Sequence, residues 1–151
     1  MSTLAYEIVD VFTDRPFTGN PLAVVFGADS LASDQMQALA REFHLSETVF
    51  VLRPTVAGAT YRVRIFTPEV ELSFAGHPSV GAAVAQMRRG LIQPGAALQE
   101  CGAGLLSLNV ATDGRATLIG ATPSISPEID PHPLLAALGL GSDDHAGPAR
   151  R

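Results

Sequence analysis

Two residues have the type and setting for proton chemistry. Glu47 lies in Leu45-Ser46-Glu47-Thr48-Val49-Phe50, after an amphipathic stretch and directly before an apolar run. A carboxylate at the edge of an apolar segment loses part of its hydration, the condition under which a glutamate works as general acid or base near neutral pH. The same setting also fits an ordinary exposed glutamate at a strand edge. His77 sits between Gly76 and Pro78, at the expected start of a helix. Free backbone N–H groups there attract a carboxylate or phosphate, and an imidazole adds a group that titrates near neutrality. The bland alternative is a histidine that only caps backbone groups.

Other candidates carry less. His44 stands three residues before Glu47, but no H-E-x-x-H pattern or Cys/His pairing accompanies them, so no metal site is expected. Cys101 is the single cysteine, and the sequence names no base beside it that would make it a nucleophile. Glu69 and Glu71 alternate along a short strand and read as a solvated face, with a carboxylate pair near His77 as the other reading. His132 and His145, in a Pro- and Gly-rich tail, read as solvent-exposed. All 10 basic residues are arginine. Without lysine, a pyridoxal-phosphate Schiff base, an aldolase-type Schiff base and a P-loop lysine are excluded.

The elements that must position these residues are legible in the periodicity. Residues 5–12 read as a first strand, 13–20 as a loop with Pro16, Gly19 and Asn20-Pro21 as turn signals, and 22–26 as a fully apolar strand. Ser33 is placed to cap a helix whose stripe is Met36, Leu39, Ala40 and Phe43. Strands follow at 48–52 and 61–65, then a short one near Leu72 to Phe74. From Gly76 a second helix carries Val80, Ala83, Val84 and Met87 on one stripe, with Gly81, Ala82 and Ala85 between them. A helix apolar on nearly all sides is a buried helix. Arg88 and Arg89 suit its negative end, and Gly90 stops it. Strands near 98–101 and 106–110, and an Asp113-Gly114 hairpin to 115–119, complete the series. Residues 133–138 read as a short helix, with loop to the end. Strands and helices do not alternate regularly, so the class is α+β, a curled, mostly antiparallel sheet around a central apolar helix, rather than a doubly wound dinucleotide fold.

Composition bounds the rest. A chain of 151 residues suits a single domain. No apolar run approaches the roughly 18 residues of a membrane helix, and Glu7 and Asp10 interrupt any signal-peptide block, so a cytoplasmic protein without membrane contact is expected. A net charge of −5, with basic pairs only at Arg88-Arg89 and Arg150-Arg151, speaks against a nucleic-acid partner.

Three blocks read together resemble one family. They are Pro16-Phe17-Thr18-Gly19-Asn20-Pro21-Leu22-Ala23-Val24, Leu45-Ser46-Glu47-Thr48-Val49-Phe50, and Phe66-Thr67-Pro68 followed by Phe74-Ala75-Gly76-His77-Pro78-Ser79-Val80-Gly81-Ala82-Ala83. In order and spacing they are similar to the PhzF-like proteins of phenazine biosynthesis. The resemblance implies a diaminopimelate epimerase-like fold, in which two pseudo-symmetric lobes each wrap a sheet round a helix and share a site. It implies a cofactor-independent isomerase acting on a small unsaturated carboxylate such as trans-2,3-dihydro-3-hydroxyanthranilate. Glu47 would move the proton. His77 would be catalytic beside it, and Ser46, Gly76 and Asn20 would bind substrate. A homodimer is also implied.

Two departures qualify these expectations. Related epimerases and racemases place a catalytic cysteine immediately before the glycine of this helix start, where this chain has Ala75. The match also covers only the first half of the family pattern, so residues 1–120 are expected to form the N-terminal lobe and 121–151 a linker or tail toward a second lobe. Two rivals therefore remain open: a catalytically inactive half-lobe acting as a binding or dimerisation module, and an epimerase or racemase using other residues.

Overall fold

The computed structural model describes residues 3–120, 125–144 and 147–149; His145, Arg150 and Arg151 lie outside them. The chain divides into two units, Met1–Gly120 and Ala121–Arg151.

In the first unit the strands are β1 (Ala5–Val11), β2 (Asn20–Phe26), β3 (Glu47–Leu52), β4 (Tyr61–Phe66), β5 (Glu71–Leu72), β6 (Gly95–Cys101), β7 (Gly104–Val110) and β8 (Ala116–Ile119). The helices are α1 (Ser33–Phe43) and α2 (Gly76–Arg88). One mixed sheet runs in the order β1-β2-β3-β4-β6-β7-β8, with β5 also on β4. The β2–β3 and β4–β6 contacts are parallel and the others antiparallel. The sheet curls so that α2 touches β1, β2, β3, β7 and β8.

Burial explains the strand patterns. On the concave side Leu22, Val24, Val49, Val51, Val63, Ile65, Leu108 and Val110 pack with Ala82, Ala83 and Ala85 of α2. On the other side Val25, Phe50, Leu52 and Phe66 pack with Met36 and Ala40 of α1. β2 and β3 therefore lie between two helices and are apolar almost throughout. A strand covered on both faces has no polar face to alternate with. β7, covered on one face, alternates instead.

α2 is buried as its composition predicts, but by a different face. Val80, Val84 and Met87 are only partly buried, whereas Ser79, Gly81, Ala82, Ala83, Ala85 and Gln86 are fully so. Small side chains let the strands approach. A Cβ on Gly81 would stand 2.6 Å from Leu22 Cδ2 and 2.8 Å from Val11 Cγ2. Gln86 is tolerated inside because its Nε2 donates to the Ala82 carbonyl at 3.2 Å. The helix ends with Gly90 at φ 70. Arg89, just past its last turn, pairs with Glu7 at 2.8 Å and lies 4.3 Å over the Phe26 ring.

Local details differ from the sequence expectation at several places. Ser33 is the first residue of α1 rather than its cap; Ala32 holds that position, and its N–H donates to Gln35 Oε1 at 2.9 Å. The Ser33 hydroxyl accepts from Arg64 instead, at 3.0 Å. β1 stops one residue early, because Phe12 turns into the left-handed region at φ 64. β5 ends at Leu72, short of Phe74.

In the second unit, α3 (His132–Ala137) buries no side chain, and Ile129 N donates to the Ala149 carbonyl at 3.0 Å. His132 is exposed and sits 2.6 Å from Asp130.

Candidate active site

The two parallel strands β2 and β3 begin at the same end of the sheet, with Leu22 opposite Glu47. Asn20, two residues before Leu22, thereby falls beside the segment that leads into Glu47. His44 ends α1 in the left-handed conformation at φ 52, and the chain then turns through Leu45 and Ser46 into β3. Ser46 Oγ donates to Asn20 Oδ1 at 3.3 Å. Asn20 is approached through a loop held by the Phe17 N–H, which donates to Asp10 Oδ2 at 2.6 Å, and by the Thr13 and Thr18 hydroxyls at 2.5 Å.

The start of α2 meets this end of the sheet. His77 Nε2 stands 3.4 Å from Glu47 Oε2. The His77 side chain keeps 8% of its exposure and that of Glu47 19%. Neither contacting atom has a hydrogen-bond partner. A buried polar atom left unpaired is costly, so two such atoms facing each other mark a place where the fold tolerates a cost. Burial lowers the His77 pKa below its ordinary value, while the Glu47 charge opposes that shift. The imidazole is therefore neutral at pH 7 and offers either an N–H or a lone pair to its neighbour. Gly76, next to it, is exposed, and nothing lies within 4 Å of where its Cβ would be. The α2 N-terminus is thus open to an anion at this point.

Sequence-predicted residues therefore gather as a chain of contacts, Asn20 to Ser46, then Glu47 to His77 beside Gly76. The carboxylate pair considered near His77 does not form: Glu71 is held by Arg64 at 2.6 Å, and that hydrogen bond lowers its pKa. Cys101 ends β6 and packs against the larger core. No group of three or more His, Cys, Asp or Glu side chains is arranged to hold a metal among the described residues. Strand periodicity missed Phe12, whose ring lies 6.4 Å from the His77 ring, tilted by 55°. No pattern in the sequence signals it, because its place depends on a backbone angle. A cavity of about 360 Å³ opens between β1, the flank of α2 and the β7–β8 turn. Phe12 lines it, but Glu47 and His77 do not.

A family profile described as phenazine biosynthesis-like protein matches residues 9–145. The chain belongs to this family. Among relatives of the phenazine biosynthesis-like proteins, the Schizosaccharomyces pombe protein named Antisense-enhancing sequence 1 is 47% identical over 112 residues, 73% of this chain and 38% of that protein. The trans-2,3-dihydro-3-hydroxyanthranilate isomerase of Pseudomonas aeruginosa is 52% identical over 80 residues, 53% of this chain and 28% of that enzyme. A predicted epimerase of the same organism superposes with a TM-score of 0.83 at 32% identity, over 96% of this chain and 54% of that one. The chain thus spans well under two thirds of the length of these relatives, and the diaminopimelate epimerase-like lobe expected from sequence is the fold observed. No helix among the described residues is long and apolar enough to cross a membrane.

Proposed function

We propose that this chain provides the proton-transferring half of a cofactor-independent isomerase acting on a small unsaturated carboxylate, of which trans-2,3-dihydro-3-hydroxyanthranilate is the candidate. The observation that carries the reading is the contact between Glu47 Oε2 and His77 Nε2, two buried, unpartnered atoms 3.4 Å apart at the start of α2. The Glu47 carboxylate takes a proton from one carbon of the substrate and returns it to another, so no atom is gained or lost. The neutral imidazole of His77 and the open N–H groups at Gly76 stabilise the substrate carboxylate or the developing enolate. Ser46 and Asn20 orient the substrate at the rim. The pair lies at the edge of the lobe, so the proposal includes a facing wall from a second lobe or a second copy, working as a cytoplasmic homodimer. The test is Glu47→Gln in the protein that carries this chain, with solvent-deuterium incorporation as the readout. Loss of turnover by about 10²–10⁴-fold with an unchanged fold is expected; undiminished turnover removes the assignment.

One observation favours a second reading, a silent lobe that docks a partner. Phe12, whose ring lies 6.4 Å from that of His77, exposes 77% of its surface, and Phe17 in the loop that follows exposes 97%. Large exposed apolar side chains at one place mark contact surfaces. Concentration-dependent dimerisation without turnover would select this reading. The epimerase reading is weakened by Ala75, which puts no thiol at the α2 start.

A further inference from the structure

A buried chain of hydrogen bonds runs from the sheet to the start of α2. Tyr61 on β4 and Gln99 on β6 are partners across the parallel contact. The Tyr61 hydroxyl donates to Gln99 Oε1 at 3.2 Å, and Gln99 Nε2 donates to Ser79 Oγ at 2.9 Å. Ser79 Oγ in turn donates to the Ala75 carbonyl at 2.8 Å. Tyr61, Gln99 and Ser79 are all buried, Gln99 and Ser79 completely. Burial, with a smaller contribution from Cys101, raises the Tyr61 pKa and keeps its hydroxyl a donor.

Ala75 is the residue these bonds reach, and it is the N-cap of α2 with no side-chain cap of its own. A Ser, Thr, Asp or Asn there would fix the first turn locally. With alanine, the Ala75 carbonyl is held from within α2 by Ser79, through its hydroxyl at 2.8 Å and its N–H at 3.4 Å, and Gln99 fixes that hydroxyl from the sheet. A fully buried amide in an otherwise apolar layer costs free energy unless both of its ends are satisfied. Gln99 is satisfied at both, and what it connects is the sheet to the turn that carries His77.

We infer that Gln99 is a positioning residue: through Ser79 it holds the Ala75 carbonyl, and with it the Gly76-His77 turn, so that the imidazole stays against Glu47. This rests on reading Glu47 and His77 as the reacting pair, but its test needs no turnover. In the ¹⁵N-labelled 151-residue chain, the His77 imidazole is titrated by NMR in the native protein and in Gln99→Met. The unbranched methionine keeps the volume and removes the amide. The charged group placed against His77 is Glu47 from β3, and the Phe12 ring is its other neighbour; neither is altered.

A loosened turn readmits water to the imidazole, so Gln99→Met is expected to raise the His77 midpoint toward the ordinary value near 6.5. Ser79→Ala, which breaks the relay while favouring helix, gives the same shift and decides the matter if Gln99→Met does not fold. Val63→Ala, a buried β4 change that makes no polar link to α2, lowers Tm but leaves the midpoint in place. An unchanged midpoint in the folded Gln99 or Ser79 variant, or an equal shift in Val63→Ala, overturns the inference. Turnover retained in Glu47→Gln alongside a shifted His77 midpoint would remove the chemistry and leave the positioning.

Discussion

At the scale of single residues, His77 ties the candidate chemistry to stability. Its folded pKa lies below the unfolded value, chiefly because burial disfavours the charged imidazole. Above about pH 6.5 both states are neutral and the residue contributes no pH dependence. Below that pH the unfolded chain binds a proton that the native state resists, so stability falls as pH drops through the window down to the folded pKa. The expected outcome is a Tm that declines on acidification below about 6.5, with a shallower decline in His77→Gln; scanning calorimetry across pH 5 to 8 checks it. Glu47→Gln leaves the carboxamide in place of the carboxylate. It is expected to abolish deuterium exchange into substrate while far-UV circular dichroism stays native.

At the scale of elements, the close approach around α2 is the feature most open to test. Gly81 has no room for a methyl group against Leu22 and Val11. Gly81→Ala would gain about 0.8–1 kcal/mol in helix propensity but lose about 1–3 kcal/mol to overpacking. The net expectation is destabilisation, read as a lower urea midpoint at unchanged slope. β6 offers a second test. The Glu100 carboxylate accepts from the Thr55 hydroxyl, from Thr55 N at 2.6 Å and from Val56 N at 3.1 Å, and these bonds lower its pKa. Its partner Arg62 lies 3.5 Å away. Glu100→Ala is expected to speed amide hydrogen exchange at Thr55 and Val56 while leaving β2 and β3 protected, since the hydrogen bonds it loses all go to the loop between β3 and β4.

At the scale of the whole molecule, the buried hydrophobic side chains belong to the first unit. Every buried hydrophobic side chain among the described residues lies between Val11 and Val110. A chain ended after Gly120 is therefore expected to unfold cooperatively with a Tm within about 4 °C of the longer chain, a change worth about 1 kcal/mol at this size. A larger drop would show that the second unit contributes to the stability of the first. Phe12 and Phe17 also belong to this scale. Replacing both by serine removes exposed apolar surface without touching the core, and is expected to weaken any dimer seen by sedimentation velocity.

The sequence by itself determined the class of elements and singled out Glu47 and His77 as candidates for proton chemistry. Period-two runs, the unbroken apolar stretches of β2 and β3 and the largely apolar α2 each state how many faces of an element are covered, and burial is a local property that residue types record. The positions of Glu47 and His77 were legible for the same reason, one at the edge of an apolar strand and the other at a helix start, within blocks that the family resemblance sharpened. Tertiary structure alone decided their 3.4 Å contact, which depends on the parallel pairing of β2 with β3 and on where α2 lies in the curled sheet. It also decided that Glu71 answers Arg64, that Ser33 accepts from Arg64 rather than capping α1, and that Gln99 reaches Ser79. Those partners lie 7, 31 and 20 residues apart in the chain. Such pairings depend on strand register and on how helices sit against the sheet, so composition and periodicity do not record them.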